Sequence, residues 1–267
     1  MFLDLNCILC NNYHNFGNYL QKEKILYKKC LNCGLIIRKK NIEKDEIRRN
    51  YEDKKYYSAY IVNYKNLIGI YSQILDFIEK FKNSGTILDI GCGLGILLSL
   101  AKRRKWDEYG IEISKYASKF AKDNLNLNVI NSSNLDNYPD NFFDVIVVNH
   151  VLEHIENPLI ILGHIYKKIN KDGILFVGVP NIGGLFPRIE KENWQFLRPS
   201  QHIYQFIPKT IKLLLKKAGF KPIKFKTANR EFRYKLNIIN LILNKFLNPI
   251  LEKMRLGEEM TIILKKI

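Results

Sequence analysis

The feature that most constrains this chain is a short strand-like segment, Thr-Ile-Leu-Asp-Ile at 86–90, that leads straight into Gly91-Cys92-Gly93-Leu94-Gly95 and then into helical periodicity. Glycines at such a turn let the backbone pass close to a ligand, and the helix behind them presents N–H groups to it. The segments that follow keep the same rhythm. Strands are expected at 86–90, 108–113, 128–130, 143–148 and 173–179, and helices at 96–105, 115–124 and 158–169. Two more strands are expected at 221–226 and 260–264. Strands alternating with helices imply a mostly parallel sheet covered on both faces, so the expected fold class is α/β and doubly wound.

The turn is not a dinucleotide fingerprint, because Ile96 stands where G-x-G-x-x-G requires its third glycine. It reads G-x-G-x-G, with Asp89 two residues ahead of the first glycine. Glu112 closes the second expected strand, 19 residues beyond Gly93, where a carboxylate can take both hydroxyls of a ribose.

A second constellation lies near the N-terminus. Cys7-x2-Cys10 and Cys30-x2-Cys33 are two hooks separated by 19 residues, the spacing of a structural zinc ribbon. Each hook can aim two thiolates at one tetrahedral Zn2+, and a closed four-thiolate site leaves no position for catalysis. Asn11 and Gly34 behind the hooks permit the backbone angles of the turns. His14 reads as a surface-loop histidine, with a substitute ligand as the alternative. The division expected is a ribbon over 1–40, a helical connector or lid over 41–84, and a cofactor domain over 85–267 with a helical insertion near 231–256. In the connector, Leu67, Ile70, Tyr71, Ile74, Leu75 and Ile78 recur at helical spacing. The tyrosines at 51, 56, 57, 60 and 64 either pack that helix or cover a nearby pocket.

LDIGCGLG followed by YGIEIS resembles the S-adenosyl-L-methionine site of class I methyltransferases, and the likeness continues through 181. The resemblance implies a Rossmann-like, seven-stranded sheet and an S-adenosyl-L-methionine cofactor. It assigns the methionine portion to Gly91, Cys92, Gly93 and Gly95, and the ribose to Glu112. Asp89 would hold the turn or reach the cofactor amine through water, and Asn149 would receive the amino group through its backbone carbonyl. Where relatives place an aspartate toward the adenine amine this chain has Ser132, with Ser133 adjacent; a hydroxyl can also accept that bond. Cys92 is read as turn packing. Asn193-Trp194, Pro199 and His202-Ile203-Tyr204-Gln205-Phe206 resemble a narrower group with an N-terminal four-cysteine region, often associated with sugars or other small metabolites.

A hydroxyl or carbon-acid acceptor needs a base within hydrogen-bond reach. His202 and His150 are the candidates, in that order. His154, four residues after His150, is read as sharing its face or packing the helix start. Methyl transfer to a sugar or similar metabolite is thus the first functional reading. An RNA base methyltransferase is the second, and a protein that binds the cofactor without turnover the third.

Charge does not choose among these. With 43 Lys+Arg against 26 Asp+Glu the chain carries +17, which suits nucleic acid, an anionic membrane or anionic small substrates, and equally a chain-wide bias. The dispersed charge and the lack of an aromatic-basic signature argue against nucleic acid without excluding it. The stretch 234–254 is apolar at helical spacing and is read as core or dimer face, or as a peripheral membrane contact. The N-terminus shows no secretory signal, so a cytoplasmic location with reduced cysteines is expected.

Overall fold

The computed structural model describes residues 6–11, 13, 15–39, 57, 64–229 and 243–267. His14, Tyr51, Tyr56, Tyr60, half of the expected connector and residues 231–242 of the expected insertion lie outside them.

Two sheets organise the molecule. The larger has seven strands in the order β10-β11-β8-β7-β4-β5-β6. These are β4 (Thr86–Ile90), β5 (Asp107–Glu112), β6 (Val129–Asn131), β7 (Phe143–Asn149), β8 (Ile169–Pro180), β10 (Phe220–Ala228) and β11 (Glu259–Lys266). The run from β8 to β6 is parallel, and β11 lies antiparallel between β8 and β10. The helices between them are α1 (Tyr64–Ile78), α2 (Ile96–Arg103), α3 (Lys115–Leu125), α4 (Pro158–Lys168), α5 (Leu185–Glu190), α6 (Pro208–Lys217) and α7 (Asn248–Lys253).

The central strands are apolar on both faces because both faces are covered. Leu88, Ile90, Ile146, Val148, Leu175 and Val177 pack with Leu162 and Ile165 of α4 and with Ile211 and Leu214 of α6. The alternate residues Ile87, Val145, Val147, Ile174 and Phe176 pack with Leu75 and Ile78 of α1, Leu97 and Leu98 of α2 and Ala121 of α3. This is the period-2 alternation of a strand read on two covered faces. The doubly wound, mostly parallel Rossmann-like sheet expected from the sequence is the sheet observed.

Several boundaries differ from expectation. Strand β8 starts at Ile169, because Ile169 pairs with Phe143 before an irregularity restores register at Val145 and Ile174. Helix α4 therefore ends one residue early. Strands β10 and β11 both run longer than their apolar cores, since their polar ends pair with each other from Phe220–Lys266 to Ala228–Glu259.

The smaller sheet has the order β1-β2-β3-β9, from β1 (Phe16–Lys22), β2 (Ile25–Cys30), β3 (Ile36–Arg38) and β9 (Tyr204–Gln205). The ribbon sequence predicts short strands at 25–28 and 35–38, which β2 and β3 match, whereas β1 and β9 have no such counterpart. β1 is half polar and β9 is two residues long, so neither shows a pattern. β9 belongs to the C-terminal part of the chain and completes the N-terminal sheet through Ile36–Gln205 and Ile37–Tyr204. Cys7, Leu9, Cys30, Leu35 and Ile37 share the core that covers the α4/α6 face of the large sheet, and the Lys217 ammonium donates to the Leu9 carbonyl at 3.0 Å.

Candidate active site

Strand order decides where the site lies. The chain runs outward from β4 to β5 to β6, then returns to the other side of β4 as β7, and ligands bind beyond the carboxyl ends at such a reversal. The loops after β4 and β7 abut there: a Cβ built on Gly91 would meet Val151 Cγ2 at 2.9 Å. A cleft of about 2170 Å³ opens along this edge, with Gly91, Cys92, Gly93, Glu112, Asn149 and His150 in its wall.

The turn is held by Gly91 N–H donating to Ile111 O at 2.8 Å and Gly95 N–H donating to Cys92 O at 2.9 Å. Gly93, at φ +54, faces the cleft, and an added Cβ would meet nothing within 4 Å. That is the open cradle a closely approaching ligand requires. Gly95, at φ +78, turns the other way: its Cβ would lie 2.5 Å from Leu127 Cδ1 and 3.1 Å from Ala121 Cβ. Of the three glycines assigned to the cofactor, Gly91 and Gly93 line the cleft and Gly95 lets α2 settle against α3.

Glu112 is buried at the end of β5, where its carboxylate oxygens accept the N–H groups of Gly93 and Ser114, each at 2.8 Å. These bonds fix the carboxylate, and each oxygen has a second lone pair, so this pair of acceptors fits the hydroxyls of a ribose diol. Asp89 lies under the turn; burial, reinforced by the Glu112 charge, pushes its carboxyl up to about 8. Burial also raises the Cys92 thiol, and its Sγ packs where a Cβ on Gly110 would be, so it is a core contact and not a thiolate nucleophile. Ser132 and Ser133 lie in the cleft wall, with the Ser132 hydroxyl bonded to Asn134. Asn149 closes β7, its side chain folded over Gly178.

The histidines separate by environment. His150 takes φ +55, an angle few residues other than glycine adopt, and is 31% exposed on the cleft. Its ring stacks on Phe196 at 5.6 Å, its Nδ1 lies 3.2 Å from Glu153 Oε1, and its Nε2 is 3.8 Å from Glu259. Burial alone raises a carboxyl, yet the His150 hydrogen bond and the neighbouring imidazoles hold Glu153 below the usual range. His202 is 3% exposed, and burial pushes its imidazole well below the usual value. His154, also lowered by burial, meets His202 edge to face with centroids 4.6 Å apart. His150 and His154 are not on one helical face, because residues 152–154 form a single 3-10 turn. The sequence reading did not single out Glu153 or Phe196. Glu153 was legible as an acid between two histidines; Phe196 comes from a loop with no periodicity.

At the smaller sheet, where Cys30 ends β2, the thiols of Cys7, Cys10, Cys30 and Cys33 lie within 4.8 Å of one another, with Cys7–Cys33 at 3.4 Å and Cys10–Cys30 at 3.5 Å. None is in a disulfide, and burial pushes Cys7, Cys10 and Cys33 up to about 11. The hooks are matched: Asn11 N–H donates to Cys7 O and Gly34 N–H to Cys30 O, both at 2.8 Å, with φ +51 and +91. Tetrahedral thiolates at about 2.3 Å from an ion put sulfurs about 3.8 Å apart, so the donor set fits zinc.

A family model described as a methyltransferase domain matches residues 65–224. A ubiquinone biosynthesis O-methyltransferase from Nitrosomonas europaea is 26% identical over 142 residues, covering 43% of this chain and 59% of the relative. A ribosomal protein L11 methyltransferase from Neisseria meningitidis is 33% identical over 97 residues, covering 35% of this chain and 32% of the relative. The chain thus spans less than two thirds of the length of these curated relatives. Among solved structures, an S-adenosylmethionine-dependent methyltransferase from Archaeoglobus fulgidus is 26% identical with a TM-score of 0.56, covering 74% of this chain and 93% of that one. One from Thermotoga maritima has a TM-score of 0.60 at 19% identity, covering 83% of this chain and all of that one, and it shows the fold alone. With the matched segment running from α1 into β10 and enclosing the glycine turn, the chain belongs to the methyltransferase-domain family, and its fold is that of solved S-adenosylmethionine-dependent methyltransferases.

Proposed function

We propose that this enzyme transfers the methyl group of S-adenosylmethionine to a hydroxyl or carbon of a sugar, nucleotide- or lipid-linked, or of a similar small metabolite, with His150 as general base. The observation that carries the reading is the His150–Glu153 pair, an imidazole oriented by a buried carboxylate in the same cleft as the glycine turn. When bound, S-adenosylmethionine supplies a sulfonium methyl, whose in-line transfer depends largely on positioning.

In this reading Gly91, Gly93 and the first turn of α2 receive the methionine portion, with Asp89 beneath them, Cys92 packing the turn and Gly95 holding α2. Glu112 receives the ribose, Ser132 and Ser133 flank the base, and the Asn149 carbonyl takes the amino group. His150 takes the acceptor's proton at Nε2, because Nδ1 is engaged by Glu153, and Phe196 holds the ring flat. His202, the other candidate, supports the cleft wall: it is buried and its edge is against His154. Cys7, Cys10, Cys30 and Cys33 hold a structural zinc ion, whose module reaches the cleft through β9.

The small-molecule reading is favoured by relatives named as ubiquinone O-methyltransferases. Among the described residues no helix is long and apolar enough to cross a membrane. Phe246, Ile250 and Met254 are exposed around α7, which supports peripheral contact with a lipid-linked acceptor. Incubation with radiolabelled S-adenosylmethionine and separate panels of nucleotide-sugars, phenolic metabolites and ribosomal RNA tests the assignment. Label is expected in a small molecule. Label confined to RNA would overturn it.

A further inference from the structure

Beside the base, the structure gathers three ligating groups, of which proton transfer uses only one oxygen of Glu153 to orient His150. Glu153 and His154 are neighbours on the 3-10 turn Leu152–His154, and His202 stands at the end of the loop that enters β9. One ligand atom from each lies within 4.8 Å of the others. Three separate backbone ties hold them together: Ile203 N–H donates to Glu153 O at 2.8 Å, Arg38 N–H to Ile203 O at 2.9 Å, and His202 N–H to Arg198 O at 2.8 Å.

The second observation is an imbalance of partners. Glu153 is 1% exposed and divides its carboxylate: Oε1 faces His150, whereas Oε2 is buried with no hydrogen-bond partner among the described residues. Gln205, also 1% exposed, places Nε2 at 3.4 Å from His202 Nδ1 and leaves its own Oε1 buried without a partner. Buried groups of this kind are rarely left unpaired, and a charged one is the costliest to leave so. With Nδ1 of His202 turned toward Gln205, the Nε2 edge of that ring is the one available for ligation.

We infer that Glu153, His154 and His202 form a second metal site, two imidazoles and one carboxylate, for a divalent transition metal in the wall of the acceptor cleft. The donor set decides the class of ion: imidazole with carboxylate suits Zn, Fe, Mn, Co or Ni, whereas Mg and Ca favour all-oxygen cages. Three protein ligands leave coordination positions open, unlike the closed four-thiolate cluster. His154 and His202 both border the cleft, so those positions face the space in which an acceptor sits. The acceptor chemistry that such a site selects is a pair of vicinal oxygens, as in a diol or catechol, chelated so that one oxygen points toward His150. This last step rests on the small-molecule reading above; the metal site itself does not.

The test titrates Co2+ into the full chain with its thiolate cluster already filled by zinc. One further cobalt per chain is expected to bind, with visible absorption but without the sulfur-to-metal charge-transfer band that thiolates produce. Glu153→Gln and His202→Ala should each weaken that cobalt at least tenfold while S-adenosylmethionine affinity stays within twofold, which also reports folding. Should either variant fail to fold, pulsed electron paramagnetic resonance of Mn2+ on the wild-type chain decides, with coupling to two imidazole nitrogens expected. No cobalt beyond the thiolate site at millimolar metal, or no imidazole coupling, would mean that ordered water fills the cluster and would overturn the site. Catechol and phenol serve as probes of the open positions. Catechol should bind at least tenfold more tightly with cobalt present, and equal affinity of the two would overturn the vicinal-oxygen inference alone.

Discussion

Two glycines two residues apart in the same turn should fail in different ways when a methyl group is added. Gly93 and Gly95 both have left-handed backbones, at φ +54 and +78. Alanine at either therefore costs about 1–2 kcal/mol in backbone strain. At Gly93 nothing more is lost in the free enzyme, because the new Cβ projects into empty cleft. At Gly95 it lands 2.5 Å from Leu127 Cδ1 and 3.1 Å from Ala121 Cβ, both in buried residues; Leu127 must change rotamer, the Ala121 methyl is fixed to its helix, and overpacking adds about 1–3 kcal/mol. Gly95→Ala should thus lose about 2–5 kcal/mol, and its Tm should fall roughly twice as far as that of Gly93→Ala. Ligand affinity should show the reverse order. Gly93→Ala places its methyl where the methionine portion approaches and should weaken S-adenosylmethionine at least tenfold, about 1.4 kcal/mol. Gly95→Ala, assayed well below its Tm, should stay within about threefold. Differential scanning fluorimetry and isothermal calorimetry on the two proteins settle the matter. A Gly93→Ala enzyme that binds the cofactor like wild type, or a Gly95→Ala enzyme that melts with it, would refute the reading of this turn.

Three further predictions follow from other parts of the site. His150→Ala should lower kcat by about 10²–10⁴-fold with unchanged cofactor affinity, whereas a structural role alone would change affinity and Tm together. Asp89 is protonated in the free enzyme up to about pH 8 but ionises near 3.8 when unfolded, so apo stability should fall as pH rises between those values. At pH 7, binding of the cationic cofactor should release close to one proton; calorimetry in buffers of different ionisation enthalpy measures it, and Asp89→Asn should abolish both effects. Elemental analysis of Cys33→Ser should show zinc lost from the four-thiolate cluster. Because β3 carries β9, the acceptor KM should rise more than the cofactor Kd; equal change in both would contradict that connection.

The sheet was legible because its central strands are apolar on two covered faces, a pattern that survives in a single sequence at Leu88, Val147 and Phe176. Gly91, Gly93, Glu112 and the four cysteines were legible because spacing along the chain is what sets their geometry. The acceptor wall was not. β9 is two residues of a long loop, recognisable only when β3 pairs with it, and Phe196 meets His150 through tertiary packing that no local period records. The proposed preference for His150 over His202 rests on burial, which distinguishes the two and which nothing in the flanking residues encodes. Gly95 shows the opposite case, a motif position that the sequence assigns to the ligand and that packing against Leu127 explains.

The most direct test of the central claim joins cofactor and base in one measurement: single-turnover transfer of labelled methyl from S-adenosylmethionine bound to wild-type and His150→Ala enzyme, with an acceptor from the small-molecule panels. The account predicts one cofactor bound per chain in both proteins, and labelled small-molecule product at full rate only with His150 present. Failure of either protein to bind S-adenosylmethionine, with NAD bound instead, or equal transfer rates in the two, would contradict it.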